Sequence, residues 1–415
     1  MIMLFIDLFL LILLLRSLFN CIFAIGFLKW IEGQQQAAVS SPDRLIIILP
    51  VYKEERSIDA ALVRLSELLD VAGNCAAIVV GSSRERSGVD PRNLTLSLAE
   101  KAKVERDLSV TIVEDPDQNS NRAKQINYAL ATIDGSPAKS WILTLDIDSK
   151  VPRRVIHLIR SGMAQDAGIM HVPALFLDNF SKLSVLQKGQ ALYQSRWTIT
   201  HECRRMLLHR WTGQMHYHLV GHGLCIELQQ LLSVGMFPAA SILEDVHLGY
   251  ICSVLNRKVH IVPEFELADS PVTYIEGWRQ QYRWAAGVQQ YLYFLGQLRG
   301  RLADYPFLIR FKAVFFALQG MLNSISWNTS AYLLVAITVS ALLGGTLPAL
   351  YLLCYFGEFA ICLCYFWRRD LIDSWDFFFS PFYLIFELLK RSVPANFAAL
   401  SSIIGIKHRL KKAEH

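Results

Sequence analysis

Two long apolar regions sit at the ends of the chain, and between them short apolar runs alternate with amphipathic and polar stretches. Residues 2–31 form the first region, long enough as a helix to cross ~30 Å of hydrocarbon. Asp7 and Arg16 interrupt it, and an arginine at that depth has to snorkel, pair or face another helix. No charged segment precedes the apolar core and no small-residue cleavage site is evident, so a membrane helix is expected rather than a cleaved signal. The second region runs from about Phe307 to Ile406. Its clearest spans are 329–343 and 347–367, joined by a turn at Gly344-Gly345. Residues 307–325 carry Arg310 and Lys312 and read as an interfacial helix or a further span. Residues 377–389 and 393–406, separated by Lys390-Arg391, read as a re-entrant pair, interfacial helices or a tight hairpin.

The middle of the chain has a different period. Continuous apolar strands are expected at 45–51, 76–80, 110–113 and 141–145, with helices at 58–69, 94–103 and 124–132 between them. Strands alternating with helices predict an α/β domain, a parallel sheet with helices on both faces. Ligands of such sheets bind beyond the carboxyl ends of the strands. Those ends carry Pro50-Val51-Tyr52-Lys53-Glu54-Glu55, Glu114-Asp115-Pro116-Asp117 and Asp146-Ile147-Asp148-Ser149. Strand alternation places Asp146 and Asp148 on one side, where two carboxylates can hold a divalent ion against a diphosphate. An isolated Asp-x-Asp also commonly just ends a strand. Glu244-Asp245 opens a helical pattern; acidic residues there suit the helix dipole, or supply a general base.

Charge adds an orientation. Lys29, Arg368-Arg369, Lys390-Arg391 and the basic run 407–412 place those points on the cytoplasmic side. The expected layout is a transmembrane helix at 1–31, a cytosolic domain at 42–300, transmembrane and interfacial helices at 305–406 and a basic cytosolic tail at 407–415. Composition agrees: of 415 residues 53% are hydrophobic and 19% charged, too apolar for a purely soluble protein. The net charge of +5 comes without the Lys/Arg block that marks nucleic-acid binding. The eight cysteines show no CxxC and no regular spacing, as expected of reduced thiols rather than a disulfide framework. Residues 201–222 hold five histidines, but His216-x-His218 has no third ligand at a recognisable zinc spacing.

The order of these features resembles the membrane-integrated family 2 inverting glycosyltransferases, which include the ceramide glucosyltransferases and the hyaluronan and cellulose synthases. The resemblance rests on a first strand ending in Pro50-x-Tyr52-x-Glu54, then Asp146-x-Asp148, then Glu244-Asp245, then Gln280-x-x-Arg283-Trp284, with apolar segments on both sides. It implies a GT-A-type (Rossmann-like) cytosolic domain. It further implies that Pro50, Tyr52, Glu54, Ser82, Arg122, Asp146, Gln280 and Arg283 border the nucleotide-sugar, with a UDP-sugar as the donor that the resemblance implies. Asp148, with Asp146, would hold Mg²⁺ or Mn²⁺; Asp245 would be the base, supported by Glu244; Trp284 and His222 would line the acceptor site. One departure stands out: the acid that the family carries after the second strand is replaced by Val80-Gly81-Ser82-Ser83, with Glu85 or the Glu114/Asp115/Asp117 cluster as substitutes.

From this resemblance follows a single displacement, with Asp245 taking the acceptor's proton and Arg283 gripping phosphate oxygens. The expected partners are a nucleotide-sugar, a membrane lipid acceptor and the bilayer, without nucleic acid. A compact set of C-terminal helices favours a lipid acceptor over a processive polysaccharide synthase. A non-catalytic nucleotide-sugar-binding scaffold is the reading from another class.

Overall fold

The structure, a computed structural model, describes residues 2–34, 41–86, 94–133 and 139–404. Residues 35–40 and the basic tail at 407–415 lie outside them. Among the described residues there are nine strands: β1 (Arg44–Pro50), β2 (Cys75–Ser82), β3 (Thr111–Asp115), β4 (Ser140–Thr144), β5 (Ile169–His171), β6 (Ala174–Leu175), β7 (Leu224–Glu227), β8 (Val259–Ile261) and β9 (Glu266–Leu267). Seven form one sheet in the order β3-β2-β1-β4-β7-β5-β8, and β6 pairs with β9 beside it. The sheet is parallel except for β7, which runs against both β4 and β5. The chain order reverses between β1 and β4, which pair in register Ile48 to Thr144. A crevice therefore opens beyond the carboxyl ends of those two strands.

The run LIIIL in β1 is buried on both faces, so every side chain is apolar. Leu45, Ile47 and Leu49 enter one core with Leu62, Leu65, Val155 and Ile159 from the helices Ile58–Ala72 and Arg153–Ala164. Ile46 and Ile48 enter the other, with Ile126 and Ala129 of the helix Arg122–Ala131. Cutting one such buried isoleucine to alanine costs about 2–5 kcal/mol. The second core does not stop at the sheet. It continues through Phe27 and Ile31 of the helix Ile2–Gly33 into Phe359 and Phe366 of the helix Thr346–Arg368. The α/β domain and the apolar helices thus share one core, and the position of the helices is coupled to the sheet.

Three helices among the described residues are long and apolar enough to cross a membrane: Leu4–Gly33, Phe307–Leu342 and Thr346–Arg368. The two segments read separately at 307–325 and 329–343 are one helix of 36 residues. The polar dip at Ser326-Trp327-Asn328 contains no helix breaker, and Trp327 is anchored: its carbonyl accepts from Ser392 Oγ at 2.9 Å and its indole donates to the Arg391 carbonyl at 3.3 Å. Gly344, at φ +94°, makes the expected turn into the next helix. The last two segments are the helices Ser374–Lys390 and Ser392–Ile403, which meet at Arg391.

Candidate active site

Each motif is delivered to the crevice by a different element. Pro50 ends β1, and Tyr52 and Glu54 follow it into the wall of a cavity of about 930 Å³. Arg84 lies over the Tyr52 ring, 4.9 Å from its centroid, a cation–π pair facing the same space. The Glu54 amide donates to Thr95 Oγ1 at 2.9 Å, and Thr95 donates from both its amide and its hydroxyl to Glu85. Glu85 is thereby consumed in fixing the start of the helix Thr95–Arg106, not held out toward a ligand. Ser82 is buried at the end of β2, accepts from the Arg84 amide at 3.2 Å and does not line the cavity. Glu114 pairs with Arg86, and Asp117 with Lys124 at 2.6 Å.

Asp146 and Asp148 occupy a turn after β4 rather than extended strand, so the expected alternation does not apply. Both still line the cavity, because Ser149 closes the turn: the Asp146 amide donates to Ser149 Oγ, and the Ser149 amide donates back to the Asp146 carbonyl. Arg122 begins its helix behind Asn121, whose side chain accepts from the Lys124 amide. Its guanidinium donates to Asp146 Oδ1 at 2.9 Å, to Glu244 Oε1 at 2.9 Å and to the Gly221 carbonyl at 2.8 Å. Burial works against this charge, but Asp146, Glu244 and Asp245 more than offset it and hold the pKa above the usual arginine value.

Asp245 sits in the first turn of the helix Glu244–Val254. Oδ2 accepts from the Gly221 amide at 2.8 Å and Oδ1 from the Val246 amide at 2.7 Å. Burial and the neighbouring Glu244 push its pKa up to about 6, despite Arg122 and the two amides. Asp148 is pushed up to about 7 by burial and by Asp146. His222 pairs with the buried Glu266 of β9 and packs edge-on to Phe176. Burial opposes its charge, yet Glu266, Asp146 and Asp148 prevail and carry its pKa to about 9. At neutral pH the site therefore carries a cationic imidazole beside the two aspartates.

The capping box of Thr273 and Glu276 starts the helix Tyr274–Val288, which carries Gln280, Arg283 and Trp284. Gln280 Oε1 accepts from Gln190 and Gln194, at 3.1 and 3.2 Å. Arg283 and Trp284 line the cavity, and Arg283 Nε is buried without a partner. Gln281 turns the other way and donates to Glu387 Oε1 at 2.7 Å. His216 and His218 lie on a loop rather than a strand, and both reach the Tyr291 hydroxyl, at 3.2 and 2.9 Å. Sequence reading missed Glu266, Asp269 and Tyr291, which carry no motif. It also passed over Glu358, although a lone carboxylate in an apolar helix is itself a signal.

The chain belongs to the glycosyl transferase family group 2, whose profile matches residues 141–367, more than half of the chain. The protein is thus a glycosyltransferase with a GT-A-like α/β domain. No curated protein sequence matches it. Among solved structures it is similar to the mannosyltransferase PcManGT from Pyrobaculum calidifontis in complex with GDP-Man and Mn²⁺, at 15% identity and TM-score 0.49, over 95% of this chain and 100% of that one. It is also similar to residues 1–349 of S. aureus TarS in complex with UDP-GlcNAc, at 14% identity and TM-score 0.41, over 89% of this chain and 95% of that one.

Proposed function

We propose that the protein is a membrane-integrated inverting glycosyltransferase. It moves a sugar, a hexose on this reading, from a UDP-sugar to a hydroxyl of a membrane lipid at the cytosolic face. The carrying observation is Arg122, which draws Asp146 and Glu244 onto one guanidinium and sets Asp245 at the wall of the same cavity. That cavity continues between the apolar helices, where a membrane-bound acceptor can meet a water-soluble donor. The domain is read as 42–300 in the cytosol, with membrane segments at 1–31 and 305–406, and the Lys/Arg distribution supports that orientation.

The donor's anomeric carbon exchanges one bond for another. The acceptor oxygen forms a bond to it from one face while the bond to the diphosphate oxygen breaks on the other, and the electron pair leaves on the diphosphate. The acceptor's proton passes to Asp245, whose pKa near 6 leaves it ionised at neutral pH and basic enough to accept. One displacement inverts the centre. Arg283, with its unpartnered Nε, holds phosphate oxygens; Tyr52 with Arg84 offers a platform for the base.

The site fits a divalent cation shared with the donor. No group of three or more His, Cys, Asp or Glu able to hold a metal occurs among the described residues. Mg²⁺ and Mn²⁺, however, need only one or two carboxylates when a diphosphate supplies the rest. Asp148, raised by burial and by Asp146 despite the nearby His222, is a carboxylate whose charge such an ion would favour. Asp148 and Asp146 would hold it, and it would neutralise charge on the leaving diphosphate, a contribution of several kcal/mol.

A panel of nucleotide-sugars with the purified protein and membrane lipid extract, followed by mass spectrometry, tests the reading. A lipid bearing one sugar supports it. A long polymer supports the processive alternative, which the depth of the cavity favours as a second reading. Absence of any metal-dependent transfer or donor hydrolysis points to a non-catalytic binding scaffold.

A further inference from the structure

The cavity does not end at the catalytic carboxylates. Its inner arm runs between the helices Ile2–Gly33, Phe307–Leu342 and Thr346–Arg368, and reaches Arg16, Leu333, Ile337 and Tyr351. Arg16 lies 17 residues before the end of its helix, about 25 Å along it at 1.5 Å per residue. The first and second of these helices both pack on the third but scarcely on each other, which leaves a cleft open sideways.

The charges of this arm do not balance. Glu358 is spent: it accepts from Ser17 Oγ at 2.6 Å, from Asn20 at 3.0 Å and from Arg196 at 2.8 Å. Glu202 is spent on His171, and Glu387 on Gln281 and Lys390. Three arginines remain without a carboxylate among the described residues. Arg16 makes no ion pair. Arg391 stacks on Tyr193 at 4.4 Å, with Nε buried and unpartnered. Arg205 is 9% exposed; it donates only to Asn323 Oδ1, at 2.8 Å, and its Nε is also unpartnered. Burial, and then the charge of Arg16, lowers the pKa of Arg205 to about 10. An uncompensated charge away from bulk water is expensive, and three arginines lining one cavity, Arg205 buried, Arg391 half-buried and Arg16 exposed within an apolar helix, call for an anion.

We infer that this arm is an acceptor subsite for a lipid whose headgroup carries phosphate, held by Arg16, Arg205 and Arg391 while a headgroup hydroxyl reaches Asp245. The inference rests on the transferase reading and names its acceptor. A lipid fits better than a soluble anion or an anionic polymer, because the arm is open to the side and Leu13, Leu333, Leu334 and Ile337 give it an aliphatic wall.

The full chain in nanodiscs of phosphatidylcholine, doped with phosphatidic acid or phosphatidylinositol, tests this. Trp197, Trp284 and Trp327 line the cavity and report occupancy by fluorescence; native mass spectrometry counts retained lipid. Saturable binding of the anionic lipids is expected. R16Q and R391Q should each weaken it about tenfold or more, as for loss of a charge-assisted bond. R16K should keep most of the affinity, which separates a lost charge from a lost fold. R310Q, on an arginine outside the cavity, should change nothing. The inference is overturned by anionic lipids binding no better than phosphatidylcholine, or by binding that R16Q and R391Q leave intact. It is equally overturned if inorganic phosphate displaces the lipid at matched phosphate concentration, or if a uronate oligosaccharide binds in its place. Uridine diphosphate binding by the same wild-type sample reports on the donor site alone. Its failure would count against the transferase reading without touching the lipid result.

Discussion

Arg122 Nη1 donates to Glu244 Oε1 at 2.9 Å, across 122 residues of sequence. The same guanidinium holds Asp146, so one side chain joins the turn after β4 to the helix that carries Asp245. The two acidic motifs are thus joined by a cation that neither contains, and that cation lowers the pKa of Asp245 against the effect of burial.

Removing that cation should be felt in both places. R122Q leaves Asp146 and Glu244 without their shared partner; the Glu244 pair is the more buried of the two, and with solvent screening at Asp146 the loss is about 1–3 kcal/mol. The expected outcome is a lower melting temperature and an acid limb of kcat/KM displaced to higher pH, as Asp245 loses a charge that lowers its pKa. R122K should restore part of both. A pH profile that stays in place in R122Q would show that the guanidinium does not act on the base.

Gly221 offers the same perturbation without touching a charge. A Cβ there would stand 2.4 Å from Arg122 Nη1, while the Gly221 amide donates to Asp245 and its carbonyl accepts from Arg122. G221A should push the guanidinium off its partners and cut kcat/KM by roughly 10²-fold, the usual effect of a small misplacement in a catalytic constellation. Donor titration by calorimetry, set beside turnover, reveals whether the loss lies in binding or in chemistry.

Asp245 makes activity and stability move in opposite directions. Below a pKa of about 6 the carboxyl is protonated and cannot accept the acceptor's proton, so kcat/KM should fall tenfold per pH unit there. Its folded pKa is raised above the model-peptide carboxyl value, so the folded state favours the protonated form. That contribution to stability is full at low pH and is lost as pH rises through about 6. D245N removes the loss. It should lower turnover by about 10²–10⁴-fold and raise the melting temperature at pH 7.5. A variant that loses both activity and stability would mark Asp245 as structural.

The sheet could be read from the sequence where its strands are long and buried on both faces. β1, β2 and β4 appear as apolar runs within two residues of their observed ends, because central strands buried on both faces are mostly apolar; β3, at the sheet edge and partly exposed, was found from its VTIV run alone. β5, β6, β8 and β9 have two or three residues and no period to detect, and with β9 went Glu266, the partner of His222. The motif positions were legible because local order carries them to strand ends. Their partners were not: Gln190, Gln194, Glu266 and Glu387 are chosen by tertiary packing and sit in segments of ordinary composition. Arg16 was visible as an anomaly. Its neighbours Ser17 and Asn20 turned out to serve Glu358, and Arg16 itself was left facing the cavity.

Glu358 and Arg196 form an ion pair at 2.8 Å that is almost wholly excluded from solvent, with Arg196 also 4.2 Å from the Phe359 ring. E358Q alone should destabilise by about 3–5 kcal/mol, because the arginine is left buried and uncompensated. The double variant E358L/R196L, which removes both charges, should recover much of that loss. Thermal unfolding of the two variants in detergent provides the comparison, and equal melting temperatures would show that the pair contributes nothing beyond its packing.

Gln281 and Glu387 tie the helix that carries Arg283 to the helix Ser374–Lys390 at 2.7 Å, in a setting where both groups are buried. Glu387 also receives Lys390, so its carboxylate satisfies two helices. Q281L removes the donor and leaves the carboxylate one bond short, at about 1–3 kcal/mol. Gln281 stands two residues before Arg283 on the same helix, so loosening this anchor should let Arg283 shift against the donor's phosphates. The expected kinetic signature is a several-fold rise in donor KM with a smaller change in kcat. The opposite split, a fall in kcat at constant KM, would place the helix on the acceptor side of the reaction instead.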